Sequence, residues 1–213
     1  FNVTHMLSKL RIKSLKIGFV GNIQISKGIL DVIEAAKILK EKGVDVEFVI
    51  AGGRTRDSKG IKGVLLKKFG LLQDVLDDVD MKVVDYGLND SFHLLGHVVD
   101  IQLVYEAIDV IVFPSHFDAP GRPVFEAAFS AVPSIVCVKK PLDDTLINNE
   151  TGIAIAAHDP VGLSAAIMHF EKDRNEVKRM GIQAQKLAIR NFEPTRNAAR
   201  LHDIYKRVFR FII

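Results

Sequence analysis

The stretch KIGFVGNIQISKGILDVIEAAKILKEKGVDVEFVIAGG, residues 16–53, decides the fold class. It opens with a compact β-branched and aromatic run at 16–21. Apolar residues at helical spacing follow over 27–42, and Gly43 is a stop signal. A second apolar run, 44–51, ends in two glycines. Strand, helix and strand in this order predict a βαβ unit with two parallel strands.

The same alternation continues along the chain. We predict a surface loop at 54–62, further strands at 92–96, 109–113, 134–138 and 152–156, and further helices at 63–81, 103–107, 122–131, 160–170, 176–190 and 195–211. Strands that are apolar on both faces and separated by helices favour a parallel sheet covered on both sides. The sequence therefore predicts an α/β fold with a Rossmann-like, doubly wound parallel sheet.

The domain organisation expected from this pattern is simple. Residues 1–15 are predicted to be a linker or N-terminal extension, and residues 16–213 a single domain that ends in helices. The chain starts at Phe1 rather than at a methionine, which is compatible with a fragment of a longer protein.

Composition excludes several classes of function. The net charge of +3, without a basic stripe interleaved with aromatics, argues against nucleic acid as a partner. The single cysteine, Cys137, excludes an internal disulfide and fits a reducing cytoplasm; in its apolar run it is expected to be a buried structural thiol. No apolar stretch approaches the roughly 20 residues that span a bilayer, and residues 1–16 do not resemble a signal peptide.

The C-terminal segment is basic. Over residues 171–213, Lys and Arg outnumber Asp and Glu by eleven to five. Such helices can contact an anionic lipid surface, which would place the protein peripherally at the inner face of the membrane, or an acidic neighbouring domain. A solvated helix face explains the same charge equally well.

The first candidate binding element is the loop Gly21–Gly28, between the first predicted strand and helix. Ser26 is a suitable N-cap, and the free N–H groups at a helix start bind anions. Lys27 in a first helical turn is unfavourable for the helix dipole unless a bound phosphate compensates for it. The alternative is a solvent-facing lysine in an ordinary strand-to-helix loop.

The second and stronger candidate is PSHFDAPGRPVFEA, residues 114–127. Asp118 is predicted to lie in a loop, and Glu126 about one turn into the following helix, beside the same crevice. Carboxylates accept paired hydroxyl groups, so this pair is suited to sugar or ribose. Gly121 would allow the backbone to approach a ligand closely. An Asx-type turn followed by a helix-start glutamate would explain the same residues without a ligand.

Other catalytic or metal-binding patterns are not evident. Neither His97 nor His116 has a partner at metal-ligand spacing along the chain, so no metal site is expected. The sequence contains no recognisable Ser–His–Asp or Cys–His constellation. The glycine fingerprint of dinucleotide binding is absent after the first strand, which argues against NAD or FAD.

Taken in order, these pieces resemble the group 1 family of retaining glycosyltransferases, which have the two-domain GT-B fold. The resemblance runs from about residue 16 to residue 209 and covers the nucleotide-sugar-binding domain, which is one half of a GT-B fold. The motifs that carry it are the Gly21…Lys27-Gly28 loop, Ala51-Gly52-Gly53, Leu95-Gly96-His97-Val98, Tyr105…Asp109-Val110, Pro114-Ser115, the carboxylates Asp118 and Glu126, and Glu150-Thr151-Gly152.

The resemblance implies a role for each matching position. Lys27, in the loop that begins at Gly21, would contact the donor diphosphate. Asp118 would touch the transferred sugar, Glu126 would bind ribose hydroxyls, and backbone N–H groups at Gly121 and Arg122 would meet the phosphate or sugar. The nucleobase would rest against the loop Gly96, His97 and Val98.

Three positions depart from the family pattern. Asn22 stands where the family commonly has an arginine paired with the lysine, so one diphosphate cation is missing; either another cation replaces it, with Arg122 as a candidate, or donor affinity is reduced. Asp118 is one methylene shorter than the usual glutamate. Pro123 has no N–H group and removes one backbone donor from the loop.

The activity that the resemblance implies is transfer of a sugar from a UDP-, GDP- or ADP-sugar to an acceptor hydroxyl, with retention of configuration and without a metal. The acceptor groove would belong to a domain of the same or another chain, so we expect this chain alone to bind donor and transfer poorly. Two alternatives remain: a non-catalytic nucleotide-sugar-binding subunit or fragment, and a GT-B-fold sugar-nucleotide epimerase.

Overall fold

The computed structural model describes residues 3–53 and 75–212, with side chains up to Phe209. Its strands are β1 (Leu15–Val20), β2 (Val46–Ala51), β3 (Phe92–Gly96), β4 (Val110–Phe113), β5 (Ser134–Cys137) and β6 (Gly152–Ile155). Its α-helices are α1 (Val3–Leu7), α2 (Ile29–Glu41), α3 (Val75–Asp85), α4 (Gln102–Ala107), α5 (Arg122–Phe129), α6 (Pro160–Lys172), α7 (Arg174–Phe192) and α8 (Pro194–Ile212), and a 3₁₀ turn spans Ile25–Lys27.

The six strands form one sheet in the order β3-β2-β1-β4-β5-β6, and every neighbouring pair is parallel. The register pairs Leu15 with Val46 and Ile17 with Val110. The sequence-based prediction of an α/β fold with a doubly wound parallel sheet is therefore confirmed. Each of the six predicted strands is present, with bounds within two residues.

Burial on both faces explains why these strands are so apolar. All six residues of β2 and all four of β4 are buried. Successive side chains point to opposite faces of a sheet. Phe48 and Ile50 accordingly join the core cluster beneath α2, α3 and α6, whereas Val49 joins the cluster that includes α4. The sheet has a hydrophobic core on each side.

The predicted helices are also present wherever the structure describes them. The loop predicted at 54–62 and the first part of the helix predicted at 63–81 lie outside the described residues; residues 75–85 are helical. Within the segment predicted as a linker, residues 3–7 form α1. Val3, Met6 and Leu7 of this helix pack against the core cluster that contains Val104 and Tyr105.

A buried carboxylate anchors the chain before β1. Glu47 of β2 is 1% exposed and accepts hydrogen bonds from the main-chain N–H of Arg11 at 2.7 Å and the hydroxyl of Ser14 at 2.6 Å. His93 Nε2 lies 3.1 Å from the other carboxylate oxygen. Burial alone would raise the pKa of Glu47, but hydrogen bonds from Ser14, Arg11 and His93 hold it below its ordinary value.

The last helix, α8, packs little against the remainder of the described chain. Its apolar side chains Leu201, Ile204, Tyr205, Val208 and Phe209 recur at helical spacing and are 49–66% exposed. Within the described ranges, no helix is long and apolar enough to cross a membrane.

Candidate functional site

The strand order creates a crevice at the carboxyl ends of β1 and β4. β1 connects onward to β2 on one side, while its other neighbour, β4, follows β3 in the chain. The segments that leave β1 and β4 therefore diverge. In doubly wound sheets, ligands bind at this kind of switch point. Both sequence-predicted loops, 21–28 and 114–121, lie here.

Main-chain contacts hold these two loops together. The carbonyl oxygen of Ser26 accepts a hydrogen bond from the N–H of His116 at 3.0 Å, and the Ser115 hydroxyl lies 3.4 Å from the same oxygen. Gly28 has a left-handed φ of 78°, and a Cβ placed on it would lie 2.0 Å from the carbonyl oxygen of Pro114. Only glycine fits this close approach.

The residue that caps α2 is Gly28, so the prediction that Ser26 is the N-cap was wrong. Ser26 lies within the 3₁₀ turn, and its carbonyl is used to join the loops. Lys27 consequently precedes the helix rather than occupying its first turn. Propensity favours Ser26 as a cap, but the contact between Gly28 and Pro114 requires the left-handed glycine at the helix boundary.

Two aromatic rings surround the ammonium group of Lys27. Its Nζ lies 5.5 Å from the ring centroid of Phe113 and 5.8 Å from that of Phe117, within the range of cation–π attraction. Both rings belong to the β4 side of the crevice. The half-buried Lys27 is therefore directed from the β1 loop toward the β4 loop, where the sequence motif 114–127 lies.

The Phe113 ring also supports the start of α5. Gly121 is the N-cap of this helix, and a Cβ added there would lie 2.2 Å from Cζ of Phe113. Gly121 is thus required by packing against the ring over which Lys27 lies. The structure brings Lys27 and Gly121 to the same aromatic side chain. Arg122, the first residue of α5, is exposed.

The two predicted carboxylates have different partners. Glu126 Oε2 accepts a 2.7 Å hydrogen bond from the hydroxyl of Tyr105, which is 2% exposed. Burial raises the pKa of Tyr105 strongly, and the bond to Glu126 raises it further. The tyrosine therefore remains a donor at neutral pH.

Asp118 is exposed, and its Oδ1 accepts a hydrogen bond of 2.8 Å from the main-chain N–H of Lys139, after β5. It borders a cavity of about 380 Å³ whose lining also includes His116, Cys137 and His158. Cys137 is 2% exposed, as its apolar surroundings predicted. Burial, together with the nearby charges of Asp31 and Asp159, raises the pKa of Cys137 to about 12, so its thiol is neutral.

Glycines bring the ends of β1, β2 and β3 together. The N–H of Gly52 donates to the carbonyl of Gly96 at 2.9 Å, and a Cβ on Gly52 would lie 1.8 Å from the carbonyl oxygen of Gly21. Asn22, next to Gly21, is exposed. The sequence-predicted segments at 21–22 and 96–98 are therefore neighbours at one edge of the crevice.

A second cavity, of about 570 Å³, lies beside this edge. Its lining residues come from α1, from the loop after β3 and from α4: Val3, Thr4, His97, Val98, Val99, Asp100 and Leu103. The sequence motif predicted His97 and Val98 for this region. Val3 and Thr4 were missed, because nothing in their local pattern indicates that α1 folds back over β3.

Three further residues at the site were not predicted to have a role there. The sequence places Tyr105 in a motif and Phe113 in a strand, and it gives no signal for Lys139. A buried tyrosine needs a hydrogen-bond partner, and this was the one available signal for Tyr105. The contacts of Phe113 and Lys139 depend on loops distant in sequence, so no local signal marks them.

An α/β domain whose loops form a crevice at the switch point of a parallel sheet belongs to the class of Rossmann-like ligand-binding domains. The model of one family, described as "Glycosyl transferases group 1", matches residues 7–187. The chain belongs to this family of glycosyltransferases, as its motifs predicted. Its fold is the Rossmann-like half of the GT-B architecture.

Relatives and solved structures agree with this assignment. The chain is 26% identical over 178 residues to the capsular polysaccharide biosynthesis glycosyltransferase CapM of Staphylococcus aureus, covering 84% of this chain and 42% of CapM. A solved C-terminal domain of the group 1 glycosyl transferase LpcC of Francisella tularensis is 21% identical, with a TM-score of 0.70 and coverage of 90% of this chain and 93% of that domain.

Another solved structure, Anabaena HepE in complex with UDP, has a TM-score of 0.79 at 16% identity and covers 95% of this chain and 53% of HepE. At these identities the structures establish the shared fold. The chain spans about two fifths of the length of CapM, the curated relative described above.

Proposed function

We propose that this chain is the donor-binding half of a retaining glycosyltransferase, which moves a sugar from a nucleoside diphosphate to an acceptor hydroxyl. The observation that carries the proposal is the junction of the Lys27 loop with the Pro114–Gly121 loop at the switch point of the sheet. At the junction Lys27 lies over rings of the segment that carries Asp118 and that leads through the close-packed Gly121 into the helix of Glu126.

The proposed donor is a UDP-, GDP- or ADP-sugar. Lys27 would contact the diphosphate, and backbone N–H groups at Gly121 and Arg122 would meet the phosphate or sugar. Asp118 would bind the transferred sugar and Glu126 the ribose. Gly96, His97 and Val98 would line the nucleobase subsite; the 570 Å³ cavity beside His97 supports this assignment. The complex of HepE with UDP is consistent with a nucleotide ligand for this fold.

The chemical demand of the reaction is stabilisation of the leaving group. Negative charge grows on the diphosphate while the sugar becomes oxocarbenium-like. Lys27 and backbone N–H groups can supply the positive field, so we propose that transfer requires no metal at the diphosphate. The rings of Phe113 and Phe117 lie beside the ammonium group of Lys27 and limit its contact with water, which strengthens its attraction to phosphate.

The proposed partner is an acceptor domain, from the same or another chain. It would complete the site and cover the exposed apolar side chains of α8. A peripheral contact with an anionic membrane at the cytoplasmic face is a second use for α8, because the helix also carries Arg200, Lys206 and Arg207. Flotation with anionic and neutral vesicles separates these two partners. Nucleic acid is not a proposed partner.

Two alternative functions use the same site. Asn22, in place of a second cation, favours a non-catalytic nucleotide-sugar-binding subunit or fragment that completes an enzyme with a partner chain. A sugar-nucleotide epimerase of the same fold would convert the donor without an acceptor. Analysis of the products formed from nucleotide sugars, with and without an acceptor domain, distinguishes transfer, epimerisation and binding alone. Robust transfer by the chain by itself would contradict the donor-binding-half proposal.

The decisive experiment is calorimetric titration with UDP, GDP, ADP and their sugars. Lys27→Ala and Glu126→Ala are each expected to weaken binding about tenfold or more, because charge-assisted hydrogen bonds contribute about 1.5–3 kcal/mol. Glu41→Ala and Lys42→Ala are matched controls: both residues are exposed near the distant end of α2 and should leave affinity unchanged. Equal affinity of wild type and both site variants would overturn the proposed site.

A further inference from the structure

Three side chains from distant parts of the chain meet beside the 380 Å³ cavity. Asp31 lies on α2, His116 follows β4, and His158 follows β6. One possible ligand atom from each lies within 4.8 Å of the others. His116 is 85 positions from Asp31 in the chain, which is why spacing along the sequence indicated no metal site.

The geometry within this trio is close to that of a metal site. Oδ2 of Asp31 lies 2.9 Å from Nε2 of His116, and the rings of His116 and His158 have centroids 3.7 Å apart. Tetrahedral zinc, with bonds of about 2.0–2.1 Å, holds its ligand atoms roughly 3.3 Å from one another. Small side-chain rotations would therefore bring all three atoms to one ion.

A simple hydrogen bond explains why Asp31 and His116 lie close together without a metal. It does not explain why His158 lies against His116. His158 has a φ of 56°, a conformation that residues other than glycine rarely adopt. It immediately precedes Asp159, which caps α6 by accepting a hydrogen bond from the N–H of Gly162 at 2.7 Å. The capped turn thereby directs an exposed imidazole onto the ring of His116.

We propose that Asp31, His116 and His158 bind one divalent transition-metal ion of the zinc type. Two imidazoles and one carboxylate are ligands that zinc prefers, whereas magnesium and calcium prefer oxygen alone. The adjoining cavity gives access to the ion and leaves space for water as a fourth ligand. The aspartate and His116 side chains are only 17% and 19% exposed, which limits competition from solvent.

The ion would join α2 to the loops that follow β4 and β6. Asp118 lines the same cavity as the proposed ligands His116 and His158. A bound metal would therefore restrict the motion of the loops that surround Asp118. The proposed ion is held by protein side chains and takes no part in stabilising the diphosphate. This proposal therefore stands or falls independently of nucleotide-sugar binding.

Cobalt(II) provides a direct test, because tetrahedral cobalt absorbs visible light and reports its ligands. Titration of Co²⁺ into the metal-stripped chain should produce visible bands that saturate at one ion per chain, and Zn²⁺ should abolish them. His158→Gln and Asp31→Asn should each weaken binding by more than about 100-fold, since loss even of an outer-shell partner costs about 10–100-fold. Circular dichroism establishes that each variant is folded.

His169→Gln is the matched control, because His169 is exposed and lies 3.8 Å from a single carboxylate, Glu176. It should bind Co²⁺ as wild type does. A second variant, His158→Cys, should retain binding and add sulfur-to-cobalt charge-transfer absorption. The absence of saturable bands, or undiminished affinity in the folded His158→Gln variant, would overturn the proposal.

Discussion

The hydroxyl of Tyr105 donates a 2.7 Å hydrogen bond to Oε2 of Glu126 and so links α4 to α5. Glu126 is the carboxylate proposed to bind ribose, and the bond fixes its orientation. Tyr105→Phe should therefore weaken nucleoside diphosphate binding about 3–10-fold, the equivalent of one hydrogen bond. Tyr86→Phe is the matched control for calorimetry, because its hydroxyl donates to Glu34 at 2.9 Å, outside the crevice. Equal losses in the two variants would contradict a specific role for Tyr105.

Gly28→Ala tests the junction of the two loops. The new Cβ would meet the carbonyl oxygen of Pro114, and φ at this position is 78°. Gly43→Ala introduces similar backbone strain, at a φ of 67°, but its Cβ has no atom within 4 Å. We expect thermal unfolding to show a loss of about 1 kcal/mol for Gly43→Ala and a clearly larger loss for Gly28→Ala. Similar melting temperatures would show that Pro114 can move at little cost.

Asn22→Arg tests whether the crevice lacks a cation. Asn22 is exposed at the start of the Lys27 loop, so an arginine can be accommodated without disturbing the core. Nucleoside diphosphate affinity should increase several-fold, and the gain should diminish as salt is added. Asn89→Arg makes the same charge change before β3, at the amino ends of the strands and away from the crevice. If the two variants gain the same affinity for nucleoside diphosphates, the added net charge explains the gain, and a missing cation at position 22 does not.

Glu47 gives a prediction about pH. Its folded pKa lies below the ordinary value of 4.5, so its contribution is fully present above pH 4.5 and is lost as pH falls through the folded pKa. Glu47→Gln should cost about 1.5–3 kcal/mol at pH 7 and less in acid. Denaturant titrations at pH 7 and pH 3 measure this, with the exposed Glu41→Gln as control. A pH-independent loss would exclude the charge as its source.

The sheet was predictable because its signal is local. Runs such as Val110–Phe113 are apolar at every position, as in strands buried on both faces, and their short length between turn residues favours a strand over a helix. The boundary of α2 was not predictable. Ser26 is the better cap by propensity, and the contact that makes Gly28 the boundary involves Pro114, in a loop that is distant in sequence.

In the site, too, residues with a local sequence signal could be predicted, and contacts between distant segments could not. Lys27, Gly121 and Glu126 could be selected because each belongs to a short motif with a fixed spacing. Tyr105 could not be assigned to Glu126, since its partner depends on how α4 packs under α5. The approach of His158 to His116 likewise depends on the turn before α6, whose left-handed residue leaves no mark in the sequence.

The bond between the N–H of His116 and the carbonyl of Ser26 uses main-chain atoms alone. Replacement of either side chain leaves donor and acceptor in place, so the crevice retains its shape while its lining changes. The exposed position 22, whose side chain does not join the loops, is thereby free to vary in charge and size. A scaffold of this kind can acquire specificity for a new ligand by single substitutions. Folding has already ordered the loops, so ligand binding carries no further entropic cost for ordering them.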